Sequence, residues 1–578
     1  MKILKIALWL VGGLILLAVV AVAIFALTFD PNRYRDDVER LVKERTGRTL
    51  QLKGPLEMAY WPSLGARVSG VALSERAVER EFVSLASAHA SVALMPLLRG
   101  EVVVDRLRVS GLKAQIVKDK EGRFNFQDLI EPQPGDKPAP KAAEKKTDEG
   151  APVKFDIAGV QVENAAIAYR DQVSGEDISL SNLNLQTGRI AENAQGKIDF
   201  STTLKRNEPP LEAKLALDGT YALKPDAIGV DFNAKLDESS LQGKIDIARA
   251  AQMSYGFDLN IDRINLDRYL ASSEKRRPAA AEKKAESKKA EDAPVDLSGL
   301  KGLKAKGQLQ IGALQVQGLK LANLKTAVNV ADGKAEIGPH SAALYEGSVA
   351  GTLALDGNAN RVALKETLSN IALGPLLRDF AEQDRLEGRG SVSLDVTTAG
   401  KSVNAMKSAL AGGAKVQLRD GAIKGVDIGA LLRKVRTALG SDSSQAADSK
   451  EKTEFSELSA SFAIKNGIAR NNDLDLKAPL FRVGGAGEID IAKSTINYVV
   501  KASVVASTQG QGGKDLEQLA GVMVPVRLSG PLDDMKYQVD YKAAAGDLAK
   551  SRAKEGIDKR KGEIEDKVRD RLKGLLNR

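Results

Sequence analysis

The chain has 578 residues, with 85 Lys/Arg against 76 Asp/Glu, a formal charge of +9, no cysteine and 4% aromatic residues. More than half of the charge excess sits at the end, where Lys550 to Arg578 holds 11 Lys/Arg against 6 Asp/Glu. The body is nearly balanced, so composition excludes thiolate chemistry and disulfides and offers neither the basic footprint nor the aromatic platforms of a nucleic-acid binder. Such a length exceeds one ordinary core and calls for several domains or one elongated repetitive structure.

From Ile6 to Phe29 no charged residue occurs, and about 20 helical residues suffice to cross a bilayer core. Lys2 and Lys5 precede the run and Asp30 follows it. Residues 1–29 therefore read as a cytoplasmic tip and single-pass anchor, with the bulk of the chain outside the cytoplasm. A cleaved signal peptide is the rival, with Ala21-Val22-Ala23 as its cleavage site. The run continues through Phe25, Leu27 and Phe29, however, beyond the roughly 7–15 apolar residues of a secretory signal.

Residues 30–130 read as a first domain. Asp30-Pro31 offers an N-cap followed by Pro at the first helical position. Tyr34, Val38, Leu41 and Val42 recur at helical spacing, and Gly47 supplies a stop. That helix would lie on the membrane or plug the start of the next domain. Residues 131–150 carry Pro132, Pro134, Pro138 and Pro140 among charges and read as a linker, as do residues 272–294 with their Ala/Lys/Glu repeats. Between them, residues 151–271 form a β-rich middle segment. Residues 295–545 form a second β-rich domain, within which Gly440 to Lys452, rich in Ser, Ala and Asp, reads as a solvated loop.

Alternation of period two dominates these domains. Leu309 and Ile311 alternate with Gln308 and Gln310, and Leu314-Gln315-Val316 repeats the step. Val349, Leu353 and Leu355 continue it across Ser348 to Asp356. The pattern predicts a mostly β protein with one apolar sheet face, and it shows no fixed repeat length. Whether the face closes on itself or curls into an open trough is not decided by alternation; on physical grounds alone a closed core is favoured, because large exposed apolar patches are rare. Leu309, Ile311, Leu314, Val316, Val349, Leu353 and Leu355 are the positions that would line a trough.

Two helices are expected late in the chain. The first carries Ile428, Leu431, Leu432, Val435 and Leu439. The second is a basic amphipathic tail over 546–578, with Ile557, Ile564, Val568, Leu572, Leu575 and Leu576 on one stripe. The tail reads as a membrane-surface helix, a partner-docking helix, or a solvated cap on a sheet edge.

Catalytic chemistry lacks its parts. The chain has two histidines. His89 reads as a polar-face strand residue and His340, after Gly338-Pro339, as a turn residue. Without Cys or His clusters, zinc sites and nucleophile–His systems have no basis. Gly512-Gly513-Lys514 lacks the upstream Gly of a phosphate loop, and Asn471-Asn472-Asp473-Leu474-Asp475 lacks the Gly of a calcium loop. Carboxylates distant in sequence remain the one route to an enzyme; no metal or cofactor is expected.

Phe29-Asp30-Pro31-Asn32-Arg33-Tyr34-Arg35, Thr46-Gly47-Arg48-Thr49-Leu50 and Tyr60-Trp61-Pro62-Ser63-Leu64 together resemble the AsmA family of bacterial envelope proteins. Val92-Ala93-Leu94-Met95-Pro96, Ile264-Asn265-Leu266-Asp267-Arg268-Tyr269-Leu270, Ala422-Ile423-Lys424-Gly425, Val524-Pro525-Val526-Arg527-Leu528 and Tyr537-Gln538-Val539-Asp540 continue the resemblance in family order. It implies an inner-membrane anchor, a periplasmic β-rich body, and kinship with chorein-type bridge proteins that carry lipid along a hydrophobic trough. The implied fold is an elongated curved antiparallel sheet with few short helices. The implied cargo is phospholipid or a lipopolysaccharide-related lipid; an envelope protein at the carboxyl end is the partner that the basic tail would serve. The rival reading is a scaffold for assembly of outer-membrane proteins. No catalytic residue carries over.

Overall fold

The computed structural model describes residues 31–59, 63–93, 103–130, 156–250, 252–270, 294–382, 384–425, 427–428, 444–446, 448–505 and 523–576. The expected anchor, the linker 131–150 and all but Pro294 of the linker 272–294 fall outside these residues, as does most of the expected helix after Ile428. Among the described residues no helix is long and apolar enough to cross a membrane. The chain forms two compact units, Met1–Arg277 and Pro278–Arg578, each built on a curved sheet with few helices.

The first unit opens with one 3-10 turn at Pro31–Tyr34 and helix α1 (Arg35–Thr46), which Gly47 ends in the left-handed region (φ +66°) that glycine tolerates. Glu39 on α1 accepts the Leu52 N–H at 2.8 Å, tying the helix to the first strand. Strands β1 (Leu50–Leu52) and β2 (Leu56–Ala59) pair with the two halves of β3 (Ser63–Ser74), and β3 pairs with β4 (Glu81–Ala93). Strands β5 (Val103–Ser110) and β6 (Lys113–Lys118), broken at Gly111, both pair antiparallel with β4. On their other side lies β8 (Val160–Asp171), parallel to both, and β7 (Asp156–Ile157) is parallel to β5. The sheet is therefore mixed, where alternation predicts an antiparallel one. Parallel pairing needs a crossover of a dozen or more residues, and the chain between β6 and β7 supplies it. Strands β9 (Asp177–Thr187), β10 (Gln195–Arg206), β11 (Leu211–Leu223), β12 (Ala227–Leu236), β13 (Ser239–Ala248) and β14 (Ser254–Asn265) then follow as successive antiparallel neighbours, and the short helix α2 (Leu266–Leu270) ends the unit.

The second unit is a run of antiparallel neighbours. It comprises β15 (Ala305–Val316), β16 (Leu319–Ala331), β17 (Lys334–Leu344), β18 (Gly347–Asp356), β19 (Arg361–Ala372), β20 (Leu386–Ala399) and β21 (Ala411–Gly425). Helix α3 (Leu373–Ala381) follows β19, and α4 (Val403–Ala409) follows β20. The expected loop at Gly440–Lys452 instead contributes β22 (Ser444–Ala446) and the start of β23 (Asp448–Lys465). Its polar side chains do not prevent main-chain pairing: β22 joins β28 (Lys536–Val539), and β23 joins β21. Strands β24 (Ile468–Lys477), β25 (Phe481–Asp490), β26 (Thr495–Val504) and β27 (Met523–Pro531) complete the series. Helix α5 (Tyr541–Leu576) starts where Asp540 caps it, accepting the Ala543 N–H at 2.9 Å.

Each unit has one closed core. In the first, Phe82, Leu107, Ile116, Phe126, Val160 and Ala165 pack together from β4, β5, β6, β8 and the turn after β6. Beside that core, Arg48 is fully buried. Its guanidinium donates from Nε to Asp128 Oδ2 at 2.9 Å and from Nη2 to Asp128 Oδ1 at 2.5 Å. It also reaches the Ser74 and Asn125 carbonyls, at 3.1 and 2.6 Å, and lies 4.8 Å from the centre of the Phe82 ring. In the second unit one cross-strand line runs Ile371, Gly390, Leu418, Leu458, Leu476, Val483, Ala502 and Val524. Leu376 and Leu377 of α3 and Tyr541 of α5 pack against this core. Helix α3 is held in place by Asp379, whose Oδ2 accepts from the Tyr345 hydroxyl at 2.7 Å and from Lys320 Nζ at 3.2 Å.

Two consequences are measurable. Removing one member of a buried, hydrogen-bonded ion pair strands the other. Arg48→Ala should therefore destabilise the first unit by about 3–5 kcal/mol in urea unfolding, and a loss below ~1 kcal/mol would show that the knot is dispensable. The second concerns the turn after β8. Asp171 is hydrogen-bonded by Lys118 Nζ at 3.0 Å and by the Val173 N–H at 2.8 Å, and chiefly the Lys118 bond holds its carboxyl down at about 2. A depressed carboxyl stabilises the fold above its unfolded pKa of about 3.9, and that contribution disappears as pH falls through 2. The stability deficit of Asp171→Asn should accordingly be full at neutral pH and vanish below about pH 2.

Candidate functional site

Outside the two closed cores, the strands keep one apolar and one polar face. In the first unit the cross-strand line Phe200, Leu217, Ala234, Leu241, Ile261 runs along one face, beside a second line Ile198, Gly219, Phe232, Gly243, Leu259. Asp199, Asp218, Asn233, Gln242 and Asn260 form the line between them on the opposite face. The polar line is exposed, whereas most of the apolar positions are half-buried. A second layer would bury them fully. The glycines in the second line leave room for an aromatic ring: the Phe232 Cζ lies 3.1 Å from where a Gly243 Cβ would stand.

The second unit repeats the arrangement across β15–β20. Ile337, Leu353, Leu364 and Val396 form one line, and Ala342, Val349, Leu368 and Val392 form another, whose Leu368 and Val392 pack against the closed core. Of the positions expected from alternation, Leu309, Val316, Val349, Leu353 and Leu355 are half-buried, while Ile311 and Leu314 are buried at 5% and 8% exposure. Ile311 stands opposite Leu324, and Leu355 stands between Ala335 and Val362. Gln308 and Gln310, on the other register, are exposed.

Between those two lines runs a third whose members are Leu309, Thr326, His340, Gly351, Glu366 and Leu394. His340 is a strand residue, where its Gly-Pro prefix predicts a turn. The bulge in β17 between Ile337 and His340 inserts one residue relative to β18. That changes the alternation, so Ile337 and His340 share the apolar face. His340 and Glu366 stand on strands either side of β18 and reach each other across Gly351: His340 Nε2 lies 2.8 Å from Glu366 Oε1. The two side chains are only 15% and 12% exposed, and Glu366 Oε2 is shut off from solvent with no hydrogen-bond partner. A Cβ at Gly351 would run into the Lys365 carbonyl and the Glu366 carboxylate.

The other expected features are placed as follows. His89 stands between Arg67 and Arg108 on neighbouring strands. Partial burial, and then Arg108, Arg67 and Arg106, hold its pKa below the ordinary imidazole value. In the tail, Ile557, Ile564 and Val568 are exposed on α5, while the side chains of Leu572, Leu575 and Leu576 lie outside the described residues. No group of acidic or imidazole side chains among the described residues could hold a metal ion.

Residues 1–221 and 230–474 match the model of the AsmA family. The chain belongs to the AsmA family. It is 23% identical to Protein AsmA of Escherichia coli (strain K12) over 581 aligned positions, covering 91% of this chain and 92% of that protein. No solved structure matches it. AsmA is not a known enzyme family, and within this AsmA-family chain the blocks that carry the resemblance do structural work: Arg48 is the buried knot, Val524 and Val526 belong to the closed core, and Tyr269 fastens α2 to Asp237 at 2.8 Å.

Because Gly351 makes room for the Glu366 carboxylate, the two positions are energetically coupled. Gly351→Ala should lower stability through clashes with the Lys365 carbonyl and the Glu366 carboxylate, and Glu366→Ala should recover only the second contribution. A double-mutant cycle followed by urea unfolding should return a coupling of about 0.5–3 kcal/mol; strict additivity would place the carboxylate elsewhere.

Proposed function

We propose that this protein is a non-enzymatic carrier of amphiphiles, holding acyl chains of phospholipid or related lipid on the apolar faces of β10–β14 and β15–β20. The observation that carries the reading is the graded burial: apolar lines reach full burial in the cores but are for the most part only half-buried across these strands. Apolar surface left in water is unfavourable by roughly 25 cal/mol per Å², so a face of this kind is suited to a ligand that supplies the missing apolar layer. Family membership supports a place in the cell envelope and a part in outer-membrane integrity. The uncharged run Ile6–Phe29 supports anchoring in the inner membrane with the body in the periplasm.

A scaffold for assembly of outer-membrane proteins is the second reading. It is favoured by the exposed Ile557, Ile564 and Val568 on α5, which would meet a protein partner or a lipid surface.

The two readings part on substitution. Leu353→Asp and Val349→Asp put a charge onto the half-buried face without touching α5. If the face carries acyl chains, these chains should fold and reach wild-type levels yet fail to restore envelope integrity to cells lacking the protein. Full restoration by a folded Leu353→Asp chain would exclude the carrier reading. Loss of function only on removal of Asp547–Arg578 would favour the scaffold.

A further inference from the structure

We propose that His340 and Glu366 form a polar station on the apolar face of the second unit that binds the primary-ammonium headgroup of an amphiphile. The inference rests on the carrier reading and adds selectivity to it. A His–Glu pair is an unexpected occupant of this face: its flanking lines are Ile337, Leu353 and Leu364 on one side and Ala342, Val349 and Leu368 on the other. Three local features place it there. The bulge in β17 turns His340 onto the face, Gly351 leaves the space between the two strands, and the 2.8 Å contact with His340 Nε2 places Glu366 through Oε1.

The second carboxylate oxygen is then the informative atom. Buried acceptors are nearly always hydrogen-bonded, and one that is not is incomplete. Glu366 Oε2 has no partner. It needs a donor, and its negative charge selects a cationic one, since N⁺–H to carboxylate bonds are the strong class. A headgroup N–H would approach Oε2 over Gly351, which has no side chain to block it. An amphiphile whose chains lie on the flanking apolar lines would present its headgroup at the pair. A primary ammonium offers N–H donors to Oε2; a trimethylammonium carries the same charge but has none. The station therefore discriminates on hydrogen bonding.

The test uses the full-length chain in nanodiscs and four lipids with identical acyl chains: phosphatidylethanolamine, its N-methyl and N,N-dimethyl forms, and phosphatidylcholine. Binding should weaken as N–H donors are removed, with phosphatidylethanolamine about tenfold tighter than phosphatidylcholine, or ~1.4 kcal/mol. Glu366→Leu should bring that ratio close to one. The headgroup series on the native chain is informative even if the variant fails to fold. Equal binding of all four lipids would overturn the station and leave the carrier reading standing. Binding of none would overturn both. A preference that survives in folded Glu366→Leu would place the selectivity elsewhere. Displacement of the lipid preference by free phosphoethanolamine would reassign the site to a soluble amine.

Discussion

The structure depends on one constraint: an alternating strand presents a continuous apolar face, and that face must find cover. The chain meets the constraint differently along its length. In the first unit, the parallel return of β8 onto β5 and β6 and the turn carrying Phe126 close a core around Leu107 and Ala165. In the second, α3 and the start of α5 close the line from Ile371 to Val524. Over β10–β14 and most of β15–β20 the same alternation continues with its apolar lines largely half-buried. The apolar residues are similar in kind in both regions. What differs is whether a helix or a turn packs onto them.

Helix fastening follows a shared logic in the two units. One helix in each unit is held by a tyrosine hydroxyl on an aspartate: Tyr269 on Asp237 for α2, and Tyr345 on Asp379 for α3. Burial, and then the neighbouring carboxylate, push both phenols up to about 12. They remain neutral donors throughout the physiological range, so these fastenings do not loosen with ordinary changes in pH. Arg48 does comparable work at the amino end of the first unit, where a single guanidinium joins β3, the turn after β6 and the ring of Phe82.

Much of this was legible in the residues. Alternation located the strands and the apolar register of Leu309, Val349, Leu353 and Leu355, because period two translates directly into faces. Helix signals also held: Gly47 ends α1, and the spacing of Ile557, Ile564 and Val568 marks the tail, although its helix starts earlier, at Tyr541. Features that depend on pairing were not legible. The parallel crossover of β8 and the strands within Gly440–Lys452 are set by main-chain partners far away in sequence. His340 is the clearest case. Gly338-Pro339 is turn chemistry locally, but β18 runs past it, the extra residue becomes a bulge, and a histidine lands on the apolar face. Glu366 carried a single local signal, its parity: it shares the face of Leu364 and Leu368.

The account turns on whether the half-buried face meets lipid. The most direct measurement is photocrosslinking in living cells, with a crosslinkable residue at Leu309 or Leu353 and at the exposed register neighbours Gln308 and Gln310. Lipid adducts confined to Leu309 and Leu353 are the predicted result. Adducts at neither set, or equally at both, would contradict the account: the former would mean a face covered by protein, the latter no preference for the apolar side.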